Sequence, residues 1–385
     1  MTSEPQHIVS RYLQQRVLLL SMILLGLLFV VTATLARTYH AREEGLAKVW
    51  SDRGNRDLSS GKPGTALEDY RNSLSYAPDN TDVQLHLAEA LLADGRLAEA
   101  RSYLSNLWDH VPGSGEVNLD LARVSMRLGD ADQAIQYFRG AILGSWEGDA
   151  AFHRRQARLE LSEFLLDKRK LDEAQAVITG IAMDTPAANG PVHEENGHLF
   201  LRVGDPMMAL AEFEAALQTD PHNIEWLKEA AQVAFEDGNY SKAEIYFSRA
   251  VQENSTDDLR SSLALVRDIL RNDPFLPGLS EEEQTRRSWR DFQQGMERLH
   301  KCIAVGASNS SSSHASEDLD GLSKDAQELQ KRVNLTSLGS DPELRKEAMQ
   351  FVSRIEDVTS QICGPPTGID QALRLLKKQQ EVLNP

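Results

Sequence analysis

The chain has 385 residues, 41% apolar and 26% charged, enough to bury a sizeable core and too apolar for a disordered tail. Its 58 acidic against 41 basic side chains give a net charge of −17, which repels a phosphate backbone and argues against nucleic acid as a general partner. Two cysteines, Cys302 and Cys363, are too few for a cysteine-rich zinc module, a four-thiolate cluster or a disulfide-dense scaffold; one disulfide or two buried thiols remain open.

Residues 1–16 read as a short N-terminal tail. From Val17 to Ala36 the chain carries no charge, and at about 1.5 Å per residue this helix spans a hydrocarbon core of about 30 Å. The lipid bilayer is therefore an expected partner through residues 17–36. Arg11 and Arg16 before the segment nearly balance Arg37, Arg42 and Lys48 after it, so charge alone does not orient it. The short tail favours an N-terminus inside, with the following domain moved across. A cleaved signal peptide ending at Thr34-Leu35-Ala36 competes, but its apolar run is longer than usual and no Pro or Gly breaks the helix just before the cut. The expectation is a single-pass protein of a bacterial inner membrane, its larger part outside the cytoplasm.

Residues 47–257 repeat with a period near 34, in segments 47–80, 81–114, 115–154, 155–189, 190–223 and 224–257. A small residue recurs at position 20 (Ala66, Ala100, Ala134, Ala174, Ala209, Ala243) and a bulky one at position 24 (Tyr70, Leu104, Phe138, Ile178, Phe213, Phe247). Four apart, they share one helix face, where the small side chain admits a neighbouring helix and the large one fills the groove. Position 8 is the matching small site on the first helix of each pair, as at Gly54, Ala88 and Gly197. Gly95, Gly129, Gly204 and Gly238 separate the two helices, and Pro78, Pro112, Pro186 and Pro221 follow the second. Each unit thus reads helix, turn, helix, proline.

These residues resemble the tetratricopeptide repeat, with Trp50, Gly54, Ala66, Tyr70 and Pro78 in the first unit and Gly204, Ala209, Phe213, Ala216 and Pro221 in the fifth. The resemblance implies an all-α fold, a right-handed α-solenoid of about six helix-turn-helix repeats. It departs at an insertion around Gly144–Ala150, which is expected to kink the array, at Arg169 in place of glycine, and at Ser255 in place of proline.

The resemblance also implies a concave wall built from the first helices, its candidate peptide-groove residues being Asn55, Glu89, Arg123, Met126, Arg127, Glu163, His198, Arg202, Gln232 and Phe235. Arg123, Arg127 and Arg202 would bring positive charge suited to a peptide carboxylate, unless these are ordinary solvated helix faces. The carboxylate clamp of the chaperone-binding branch is disfavoured: only Asn55 matches it, with Ser51 in place of lysine and Glu116 and Asp120 in the third unit.

No catalytic motif appears. His193 and His198 lie five apart, about 140° around a helix, whereas a zinc-protease pair needs a spacing of four, so no metal is expected. A phosphate-binding glycine loop and a nucleophile elbow are also missing, so neither an enzyme, a cofactor nor a small-molecule substrate is expected.

After residue 257 the period is lost. Leu259–Leu270 suits a solvating end helix, and Asp273-Pro274 through Pro277-Gly278 breaks the chain. A helix opens at a Ser280/Glu283 capping box with Trp289, Phe292, Met296, Leu299 and Ile303 on its stripe. A mobile Ser-rich loop over 307–316 is expected next, then a shorter helix through Leu319–Val333. A third, capped by Asp341, carries Leu344, Ala348, Phe351, Ile355, Val358 and Ile362, and a last one covers about Asp370–Val382. Packed up, down, up, the three would place Cys302 and Cys363 at one end, a candidate disulfide. Alternatively these stripes face a partner.

The sequence therefore suggests a membrane-anchored scaffold that binds a protein or peptide partner in envelope assembly, translocation or export. The alternative is a non-catalytic accessory or regulatory subunit of a membrane enzyme, docking through its C-terminal region.

Overall fold

The computed structural model describes the backbone of residues 5–309 and 313–383, and side chains at residues 20–304 and 318–376. Residues 1–4 of the expected tail and 310–312 of the expected loop lie outside the described residues. The described residues form eighteen helices and no strand, apart from one isolated bridge. The fold is all-α. The chain divides into two compact units, Met1–Asp167 and Lys168–Pro385.

The first unit comprises α1 (Pro5–Ser59), α2 (Pro63–Tyr76), α3 (Thr81–Ala93), α4 (Leu97–His110), α5 (Gly115–Leu128), α6 (Ala131–Leu143) and α7 (Ala150–Asp167). Successive helices pack on one another, and first helices also touch first helices, α3 on α5 and α5 on α7. The small-large code is read out literally at the start of the array. A Cβ placed on Gly54 would lie 2.6 Å from the Tyr70 ring, so only glycine lets that buried ring seat against α1. Ala66, Ala88, Ala100, Leu87, Leu91 and Leu104 complete this core. Asn80 and Ser114 cap α3 and α5 by accepting from the amides of Val83 and Val117.

One feature of this unit differs from expectation, and a second adds detail to it. Residues 5–16 of the expected tail, the apolar segment and the first repeat helix are one helix, α1, without a break. The insertion after α6 is tied down: the Ser145 amide donates to Gly113 O (2.9 Å), and the Gly115 amide donates to Ser145 O (2.8 Å). Trp146 covers Gly115, stacks on His153 with centroids 4.8 Å apart, and donates through Nε1 to Ala141 O. The extra residues are thus absorbed against the N-terminus of α5.

The second unit comprises α8 (Leu171–Met183), α9 (Gly190–Val203), α10 (Pro206–Thr219), α11 (Ile224–Glu236), α12 (Tyr240–Glu253), α13 (Asp257–Asn272), α14 (Glu281–Asn309), α15 (Ser313–Arg332), α16 (Leu335–Ser340), α17 (Pro342–Cys363) and α18 (Ile369–Leu383). Gly197 repeats the Gly54 device: a Cβ there would meet the buried Phe213 ring at 2.8 Å. Arg169, standing where the repeat favours glycine, adopts φ +56° before α8, a left-handed turn that α5 and α9 make with Gly129 and Gly204.

The C-terminal helices have a simple register. Gln284 meets Arg345, Arg298 meets Thr359, and Cys302 bonds Cys363, each pair 61 residues apart, so α14 and α17 run parallel. Arg332 pairs with Glu347 and Asp325 with Arg354, so α15 runs antiparallel between them in sequence. Cys302 and Cys363 form a disulfide with Cα atoms 5.7 Å apart.

Three details here correct the sequence reading. The Ser-rich stretch 307–316 is not one loop, since α14 runs to Asn309 and α15 begins at Ser313. The Ser280/Glu283 box is only half made: Ser280 Oγ accepts from the Glu283 amide, but the Glu283 carboxylate turns to Arg286 and Arg287. Nor is α13 a solvated end helix. Its Val266 and Ile269 are buried, α18 packs on it, and Tyr240 on α12 donates to Leu375 O at 3.1 Å.

Candidate peptide groove

Of the ten residues assigned to the concave wall, six fall in the first unit and four in the second. In the first, α3, α5 and α7 place Glu89, Arg123 and Glu163 at matching positions, and the cross-helix contact is made by Arg123. Its guanidinium donates to Glu160 on α7 at 2.6 and 2.9 Å and to Asp120 on its own helix at 3.0 Å. Arg127 donates to Leu92 O near the end of α3 at 2.7 Å. The positive charge expected for a peptide carboxylate is therefore already spent on two carboxylates at Arg123, and Arg127 is turned onto a backbone carbonyl. Asn55 accepts from the Tyr70 hydroxyl at 2.7 Å, Met126 is half-buried, and Glu163 is exposed.

What remains in this wall is acidic. Glu89 on α3 faces His86 at 3.2 Å, and Glu116 and Asp120 lie on α5. Burial pushes the Asp120 carboxyl up to about 7, Glu89 adds to the rise, and Arg123 opposes it. The arginine loses because its charge is shared with Glu160, while Asp120 is only 2% exposed and one of its oxygens has no hydrogen-bond partner. Glu116 is raised by burial and then by Glu89; His86 is raised chiefly by its hydrogen bond to Glu89. Asp120 and Glu160 were not among the candidates. The spacing of three between Asp120 and Arg123 was available as a signal, but the 37 residues from Arg123 to Glu160 are bridged only by packing.

In the second unit, exposed His198 lies edge-on to Phe213 with centroids 5.4 Å apart, and Arg202 is exposed. The Gln232 amide donates to Glu236 at 2.6 Å, and Phe235 packs edge-on to Tyr240. His193 points inward instead, its Nδ1 2.8 Å from Glu212, and Asn196 donates to the same carboxylate at 3.1 Å. The histidines of the zinc-like string thus diverge, one into the core and one outward. Among the described residues no group of three His, Cys, Asp or Glu side chains is placed to hold a metal ion.

The family described as tetratricopeptide repeat matches residues 57–107 and 91–143, and a second of the same description matches 195–258. The chain carries tetratricopeptide repeats. The unmatched stretch between the two regions holds the insertion and Arg169, where the sequence leaves the pattern. No curated protein matches the chain. Solved structures similar to it include YrrB, described as a TPR protein with an unusual peptide-binding site, at 14% identity and TM-score 0.35, covering 50% of this chain and 96% of that one. PilW, a type IV pilus biogenesis factor, is 17% identical with TM-score 0.37, covering 56% and 98%. PilF of Pseudomonas aeruginosa is 19% identical with TM-score 0.30, covering 52% and 93%.

Proposed function

We propose that this chain is a membrane-anchored tetratricopeptide scaffold that binds an extended protein segment along its first helices and performs no chemistry of its own. The observation that carries the anchor is α1 itself. From Leu20 to Leu35 its large apolar side chains are half to three-quarters exposed, and none of the apolar span is buried within the protein. Left in water, such a surface costs roughly 25 cal/mol per Å², and a bilayer removes the cost. The binding role rests on the repeats and on the polar, partly exposed side chains of α3, α5 and α7, a surface that recognises partners by contact.

The Cys302–Cys363 disulfide supports the orientation with the repeats outside the cytoplasm, because such bonds persist in oxidising compartments. The envelope assembly, translocation or export process belongs to the same proposal. Alkaline extraction of membranes is expected to leave the chain in the pellet; release into the supernatant overturns the anchor. Thiol labelling in intact cells is expected to require reductant before either cysteine reacts. Thiols reached without reductant, and only after lysis, overturn the orientation. In crosslinking, capture of one stoichiometric enzyme through α14–α18 would replace the scaffold by an accessory subunit.

A further inference from the structure

We propose that the wall formed by α3, α5 and α7 receives a basic peptide segment, with a lysine or arginine side chain seated in the combined field of Glu89, Glu116 and Asp120. This deepens the binding role proposed above and rests on it. Among the described residues, the groups acting on this spot include Asp82, His86 and Glu89 from α3, Glu116, Asp120 and Arg123 from α5, Glu147 from the insertion, and His153 and Glu160 from α7. Arg123 is closed by Asp120 and Glu160 together, Arg127 is turned onto Leu92 O, and Glu89 is paired with His86, so the carboxylates here outnumber the arginines that α3 and α5 supply.

A second observation is independent of the charge count. Asp120 is buried to 2% exposure, one oxygen accepts from Arg123, and the other has no donor. An unsatisfied buried carboxylate oxygen costs free energy, which a neighbouring positive charge offsets. In the unliganded chain a proton fills this role part of the time, since burial and Glu89 hold the Asp120 carboxyl up near 7. A ligand ammonium or guanidinium at Glu89 and Glu116 replaces that proton by a fixed charge. An acidic segment meets the opposite: like charges on three helices and no uncommitted arginine among α3 and α5.

The test uses the full chain in nanodiscs of zwitterionic lipid and three fluorescent peptides on one Gly-Ser frame, bearing lysines, glutamates or glutamines. The lysine peptide is expected to bind, and Glu89→Gln with Glu116→Gln to weaken it roughly tenfold or more. Glu281→Gln with Glu282→Gln, which removes the same charge from α14, is expected to leave it unchanged. Both carboxylates of the groove pair are partly or fully exposed, so these variants keep the core intact. Equal binding of all three peptides, weakened alike by the groove variant, overturns the basic ligand while the groove reading stands; lysine-peptide binding unaffected by the groove variant overturns the seat at Glu89 and Glu116. Absence of binding by every peptide overturns both.

Discussion

Gly54 and Gly197 show how much of this array depends on one missing methyl group. Each lies where a Cβ would come within 2.6 to 2.8 Å of an aromatic ring on the second helix of its pair. Gly54→Ala or Gly197→Ala therefore forces Tyr70 or Phe213 out of place, and overpacking of this kind costs about 1–3 kcal/mol. The urea midpoint of either variant should fall accordingly, whereas Gly61→Ala, which has open space at its Cβ, bears only the backbone strain of its φ of +71°.

Asp291 makes a different prediction at the same scale. It is fully buried on α14, with Arg290 Nε at 3.3 Å from one oxygen and no partner for the other. Burial pushes its carboxyl up to about 7, outweighing Arg290 and Arg287. Below about pH 4 both folded and unfolded chains hold the proton and the stability contribution is complete. As pH rises toward 7 the unfolded chain releases its proton first, so stability falls, and it levels off above the folded value. Asp291→Asn should flatten this decline in denaturation midpoints measured from about pH 4 to pH 8. Asp120, raised to about 7 in the other unit, and buried Glu356 on α17, raised to about 8, leave a residual slope of the same sign.

Among the elements, the turn before α8 departs most clearly from its kind. Arg169 holds a φ of +56° that costs an L-residue roughly 1 kcal/mol or more, and its side chain is exposed. Arg169→Gly is expected to raise the thermal midpoint, by up to about 1 kcal/mol in stability; a loss would show that the side chain has a role beyond the turn. Helix pairs, capping residues and turns were legible because period, proline and glycine are local signals. The insertion was legible in position but not in consequence. Trp146 folds back because Gly115 is bare and His153 offers a ring, contacts 31 and 7 residues away that no local pattern encodes. The Ser-rich stretch misled for the opposite reason: serine composition suggests a loop, yet both flanking helices run into it.

For the whole molecule, the parallel register of α14 and α17 sets what the disulfide does. It closes a 61-residue interval that contains α15 and α16, and on the chain-entropy view such a link stabilises the folded state by about 4 kcal/mol. Cys302→Ser with Cys363→Ser, or reduction of the native chain, should lower the unfolding transition of the second unit by that order, as read by calorimetry. A change confined to a few tenths would mean the bundle holds without the bond.

The sequence by itself determined the helical class, the repeat and its register, and the apolar N-terminal segment, because each is written in spacing along the chain. It also gave the parallel pairing of the cysteine-bearing helices from three amphipathic stripes. Only the tertiary structure decided that Arg123 is neutralised across helices, that α18 returns to cover α13, and that α1 passes unbroken into the first repeat. Charge and burial at a site are sums over residues distant in sequence. An arginine read alone looks like a receptor for carboxylates; with Asp120 and Glu160 folded against it, the same wall is acidic.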